Sequence, residues 1–278
     1  MSRVRVSRVR VSQGRVSQGR TACFACLHAE WTKIRTQPGM FWLLAAVVAL
    51  TAVVGAVTAA AVTCPAAGCG QDPAKVSLTG IELGQAVAAI IAILAVTGEY
   101  GTGMIRVTLA AVPRRGTVLA AKAVIVTGLV LGAGTVAVLA SMLAGRLILP
   151  GRGLTPAHGY PPLGLAGPDL RAAAGSVLYL GLVALLALGL AVAIRDSAVA
   201  IGAVLGLLYL FPVIATALDP DWRRHLEQIG PMSAGLDIQS TTGLSSQPLS
   251  PWAGLGVLAL WALGAMLLGG LVFRLRDA

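Results

Sequence analysis

The chain has 278 residues, 56% of them hydrophobic and only 12% charged, with 34 glycines and 4 phenylalanines. A single water-facing domain of this length needs more polar surface than that, so a soluble globular fold is excluded. A formal charge of +10 would suggest nucleic acid in a soluble protein, but beside long apolar runs the basic residues read as a topology signal instead.

Residues 1–22 form a basic low-complexity tail built from pentapeptide copies (Val6 to Arg10, Val11 to Arg15, Val16 to Arg20) with six arginines and no acid. Such a segment has nothing with which to form a core and is expected to be disordered, its basic residues suited to anionic lipid headgroups. No apolar run follows before Met40, so it does not read as a secretory leader. Cys23 and Cys26 form a lone Cys-x-x-Cys with only His28 nearby. A structural zinc site needs four ligands, so reduced or acylated thiols are expected there and no metal.

The remaining chain, 23–278, reads as one membrane domain. In 27–37, Leu27, Trp31 and Ile34 share one helical face and His28, Glu30, Lys33 and Arg35 take the other, the pattern of a helix lying along a membrane surface with its aromatic ring at headgroup depth. Pro38-Gly39 breaks that helix. Six apolar runs follow at about 40–62, 78–97, 118–143, 172–194, 198–218 and 252–273. Each is near the length that crosses a hydrocarbon core of about 30 Å at about 1.5 Å per residue. The expected fold class is therefore an all-α integral membrane protein of six transmembrane helices. Glu82 falls near one end of the second run and Lys122 near one end of the third, where both are expected to reach water.

Orientation follows from the basic residues. Lys75, Arg146, Arg152, Arg171, Arg223 and Arg224 lie on one side of the runs, and the other fifteen of the 21 lysines and arginines lie on the opposite side. The richer side is expected to be cytoplasmic, with both termini inside. Glycine pairs Gly128/Gly132 and Gly202/Gly206 are expected to let helices approach closely, and Pro212 to kink the fifth span near its middle. Cys64 and Cys69 lie in the first outer loop, and the sequence leaves open whether they bridge. The long outer loop from Asp219 to Ser250 has room for a short re-entrant or interfacial helix.

Between the second and third spans, residues 98–116 hold Ile105, Leu109 and Val112 at helical spacing. Glu99 and Thr102 stand at the expected helix start, and Pro113 with Arg114 and Arg115 at its end. This predicts a short amphipathic helix able to pass a push from a cytoplasmic partner into the bundle.

The chain resembles, over Leu27 to Ala278, the permease subunits of ABC-2 type (type-2 ATP-binding-cassette) exporters, especially actinobacterial ones. The likeness is carried by Glu30-Trp31-Thr32-Lys33 before the first span, Gly98-Glu99-Tyr100 and Gly103 to Leu109 ending in Pro113-Arg114-Arg115, Arg195-Asp196 between the fourth and fifth spans, and the Arg274 to Asp277 tail. It implies that 27–37 is a connecting helix and that 98–116 is a coupling helix docking on a separate cytosolic ATPase. Glu99, Tyr100, Thr102, Arg106 and Arg114 would then be contact or hinge positions. It also implies two permease copies, alike or different, against two ATPase copies in a bacterial cytoplasmic membrane. Gly101 and Gly103 depart from the bulkier polar residues usual in that loop.

No Gly-Lys dipeptide and hence no Walker A loop is present, so ATP hydrolysis would belong to the partner. No catalytic, cofactor or metal site is expected, since His28, His158 and His225 fall on different loops. Two alternatives are a gradient-driven secondary transporter, for which Glu82 is the visible relay candidate, and a membrane enzyme acting on lipid. The sparse polar residues of the spans (Gln85, Thr97, Thr127, Ser141, Ser176, Tyr179, Tyr209, Thr216) lean toward an amphipathic or hydrophobic cargo.

Overall fold

A computed structural model of the chain describes residues 31–32, 36–64, 70–104, 115–160, 162–164, 167–244 and 247–275. Of the surface helix expected at 27–37, Trp31, Thr32 and Thr36 are described and helical; Glu30, Lys33 and Arg35 lie outside the described residues. So do the tail, Cys69, and residues 105–114 with Arg106 and Arg114.

Pro38 occupies the first turn of helix α1 (Pro38–Ala61), where its missing N–H would in any case have no partner. Helix α2 (Pro73–Leu78) starts on Asp72, whose carboxylate accepts from Ala74 N and Lys75 N. After Thr79-Gly80 the chain continues as α3 (Ile81–Gly101). Helix α4 (Arg115–Ile148) is extended by a 3₁₀ turn over Leu149–Arg152. Helices α5 (Gly167–Ile194) and α6 (Ser197–Thr216) are joined by Arg195-Asp196. Then come α7 (Pro220–Ile229), α8 (Pro231–Leu236) with a 3₁₀ turn over Asp237–Gln239, and α9 (Pro251–Leu275). There is no strand among the described residues.

Among the described residues, six helical segments are long and apolar enough to cross a membrane: Pro38–Ala61, Pro73–Gly101, Gly116–Arg152, Gly167–Ile194, Ser197–Thr216 and Pro251–Leu275. They coincide with the six runs expected from sequence, so the chain is a multi-pass membrane protein. The fourth span, α5, is the most enclosed, and α3, α4, α6 and α9 all pack on it. The first span packs on α3 and α4 at the side of this group.

Close approach depends on glycines other than the expected pairs. Spans four and six meet backbone to backbone: a Cβ on Gly189 would stand 2.5 Å from the carbonyl carbon of Ala265, and one on Gly269 would stand 2.4 Å from Gly189 O. Spans one and two meet the same way, a Cβ on Gly80 reaching 2.0 Å from Thr51 O. At Gly128, Gly132, Gly202 and Gly206 an added Cβ would meet nothing within 4 Å. The expectation that those four close helix contacts is therefore corrected within this chain: G-x-x-x-G spacing puts two glycines on one face, and these faces point outward.

The long loop after α6 holds two short helices, α7 and α8. In α7, Trp222 and Ile229 are exposed alongside Arg223 and Arg224, Glu227 is half-buried, and no residue is buried. In α8, Pro231, Met232, Ala234, Gly235 and Leu236 are buried against the bundle. Pro212 lies within α6, toward its C-terminal end.

The two bundle ends are tied differently. At the Asp72 end, Asp72 also accepts from Thr241 Oγ1 at 2.7 Å, Thr242 N at 3.0 Å and Thr241 N, fastening the start of span two to the segment before span six. Cys64 N donates to Arg152 O at 2.8 Å. Cys64 is disulfide-bonded, with its partner cysteine outside the described residues.

Candidate functional site: a buried ion pair at the foot of the bundle

The opposite end is where α3 stops and α4 begins. The sequence places Glu99 and Tyr100 at the start of a loop helix. In the structure they form the last turn of α3, which ends with Thr102 as C-cap and Gly103 at φ 70°. A left-handed glycine just past a helix is the usual way to close its final carbonyls; here Thr102 N donates to Gly98 O and Gly103 N to Tyr100 O. Thr102 is exposed and its hydroxyl donates to Gly98 O at 2.9 Å. Thr102-Gly103 is the signal in the sequence that marks the stop.

This shift changes the electrostatics of Glu99. A carboxylate suits a helix N-terminus, but the last turn is the negative end of the dipole and disfavours it. The compensation comes from Lys122, two turns into α4, whose Nζ lies 3.0 Å from Glu99 Oε1 and also donates to Ala95 O at 2.9 Å. Lys122 is 5% exposed and Glu99 8%. The expectation that Lys122 reaches water is thus corrected: its amine folds back along α4 onto the second span, because an ammonium beside a carboxylate and a carbonyl needs no solvent to satisfy it.

Tyr100 brings in the fourth and fifth spans. The Arg195 guanidinium stands 5.3 Å from the centre of the Tyr100 ring, within cation–π range. Arg195 occupies the turn between α5 and α6 at φ 67°, a left-handed conformation that L residues other than glycine adopt at a cost of about 1–2 kcal/mol. Its N–H closes α5 by donating to Ala191 O at 2.8 Å, and Asp196 caps α6 by accepting from Val199 N at 2.8 Å. Phe273 of the sixth span completes the cluster, lining with Val96, Val118, Leu119 and Val192 a void of about 20 Å³ beside the ion pair. That volume holds about one water. The cluster is therefore a structural joint: it ties the last turn of span two to spans three, four and six and to the turn between spans four and five.

Among the expected site residues, Glu99 and Tyr100 converge here, Thr102 lies just beyond, and Arg106 and Arg114 are outside the described residues. Trp31 is 48% exposed and stands apart from the cluster along the chain. Lys122 and Arg195 are the participants that sequence spacing did not single out for it.

The polar residues expected to line the spans are mostly turned inward and used in packing. Tyr179 Oη donates to Gln85 Oε1 and Tyr209 Oη to Glu82 O, pinning spans four and five to span two. Ser141 Oγ donates to Thr51 O at 3.2 Å, and Thr97 Oγ1 to Ile93 O at 3.0 Å. Near the other end Asp237, buried at 8% exposure, has its carboxyl raised to about 6 by loss of hydration, opposed by Lys75 and assisted by Glu227. No cluster of metal-binding side chains occurs among the described residues. No protein-family model matches this sequence, and a search of curated proteins returns no match either.

Proposed function

We propose that the chain is the membrane-spanning permease subunit of an ABC-2 type exporter, moving an amphipathic or hydrophobic cargo across a bacterial cytoplasmic membrane with ATP hydrolysed by a separate subunit. The observation that carries this reading is the joint itself. A loop that transmits force needs a rigid foot, and the 98–116 segment leaves one: Glu99 is locked to Lys122 at 3.0 Å and Tyr100 sits under Arg195. Two residues of the resemblance that are far apart in sequence, Tyr100 and Arg195, meet there. In this reading both termini and the 98–116 segment are cytoplasmic, as the excess of basic residues on that side supports. The chain works as a dimer, with itself or a second permease, over two ATPase copies.

Orientation is the necessary condition and is testable directly. With Cys23 and Cys26 replaced by serine, a membrane-impermeant maleimide added to intact cells should label Asp221→Cys and leave Thr102→Cys unlabelled until the membrane is opened. The reverse pattern overturns the reading, since the segment would then face away from any source of ATP.

The gradient-driven alternative gains one observation. Such proteins use ionisable groups inside the membrane, and Glu99 with Lys122 forms a buried pair of that kind. The absence of a co-purifying ATPase would favour it.

A further inference from the structure

Next to the joint, α4 and α9 diverge and leave a lateral cleft of about 400 Å³. Its walls are Leu119, Met266, Leu267, Gly270 and Leu271, and among the described residues its charged lining residue is Arg274 in the last turn of α9. The cleft is open because Gly116 and Gly270 carry no side chain; a Cβ on Gly270 would reach only Leu119 Cδ2, at 3.7 Å. Leu267 and Leu271 are 65% and 55% exposed, so the cleft opens on the outer surface of the bundle.

The Arg274 guanidinium lies at the mouth, with Nη2 3.7 Å from where a Cβ on Gly116 would stand. Gly116 belongs to the first turn of α4, whose N–H groups and dipole favour an anion. Arg274 is exposed and has no carboxylate partner among the described residues. Apolar walls offer water few hydrogen-bond partners and suit an acyl chain, and a guanidinium at the rim suits phosphate oxygens.

We propose that this cleft binds one anionic phospholipid, its phosphate on Arg274 and the first turn of α4 and one acyl chain along Leu119, Met266, Leu267 and Leu271. Leu119 and Phe273 form walls of both this cleft and the void beside the Glu99–Lys122 pair, so the acyl chain packs one side chain away from the joint. The site does not depend on the permease reading.

The test is native mass spectrometry of the full chain in mild detergent, titrated with phosphatidylglycerol, with phosphatidylcholine of the same acyl chains, and with inorganic phosphate, alongside melting temperatures. Phosphatidylglycerol should bind about fivefold more tightly than phosphatidylcholine, the value of one basic residue worth about 1 kcal/mol at the membrane surface. Arg274→Gln should abolish that preference and leave phosphatidylcholine retention and the lipid-free melting temperature unchanged, Arg274→Lys should keep most of it, and Gly270→Leu should weaken both lipids. Equal binding of the two lipids by the unaltered chain, or a preference that survives Arg274→Gln, would overturn the proposal. So would equal protection by inorganic phosphate, or a dimer that Gly270→Leu splits, which would give the cleft to an ion or to a second copy.

Discussion

Replacing Lys122 by methionine keeps the length and most of the volume of the side chain and removes its charge. Glu99 is then left 8% exposed in the final turn of α3, at the end of the helix dipole that repels it, without the ammonium that stood 3.0 Å away. Breaking a buried pair from one side costs about 3–5 kcal/mol. At about 2–4 °C per kcal/mol the melting temperature in detergent should fall by roughly 6–20 °C. Removing both charges is different: Glu99→Leu with Lys122→Met replaces the pair by apolar groups of similar size, which is often neutral, and the double variant should recover most of the loss. Nanoscale fluorimetry on the two single variants and the double variant completes the cycle. A loss below about 1 kcal/mol for Lys122→Met, or a double variant as unstable as the sum of the singles, would refute a buried and coupled pair.

Glycine substitutions should separate real from apparent packing motifs. Gly189→Ala, whose Cβ would stand 2.5 Å from the Ala265 backbone, should lose about 1–3 kcal/mol, whereas Gly202→Ala, facing open space, should be neutral or gain up to about 1 kcal/mol from helix propensity; thermal unfolding of both checks the contrast. Asp237 holds its proton to about pH 6 in the folded chain against an ordinary 3.8, so its stabilising effect is complete below about pH 4 and is lost as pH rises to 6. Asp237→Asn should therefore melt higher than the unaltered chain at pH 7.5, with the gap closing by pH 4. Asp72→Ala removes a helix cap worth about 0.5–2 kcal/mol and the tie to Thr241 and Thr242, and should speed proteolysis within 240–250 in a limited-digestion assay.

The six spans were legible because uninterrupted apolar length is a one-dimensional signal, and the loop after α6 was legible as helical because its composition is too mixed for a plain connector. Helix ends and partners were not. The boundary drawn at Thr97 fell short of Gly101 because Glu99 reads as polar loop until Lys122, 23 residues later, is known to meet it. The same gap hid the fate of Lys122, since a lone lysine near a span end reads as reaching for water. Glycine spacing found faces but not neighbours: which face touches another helix depends on how α5 sits among α3, α4, α6 and α9, and no local pattern encodes that. Tyr179, Gln85 and Tyr209 were visible as polar residues of spans, and only the fold shows that they bond to one another and to Glu82 instead of lining an open path.

The most direct measurement is affinity purification of the tagged chain from its own host in mild detergent, with co-purifying proteins quantified by mass spectrometry, for the unaltered chain and for Arg106→Glu with Arg114→Glu. The permease account predicts a cytosolic ATPase carrying a Walker A loop, at one copy per copy of the chain, lost in the double variant while the fold and yield are retained. A chain that purifies without an ATPase, or one whose ATPase is held equally by the double variant, would contradict it.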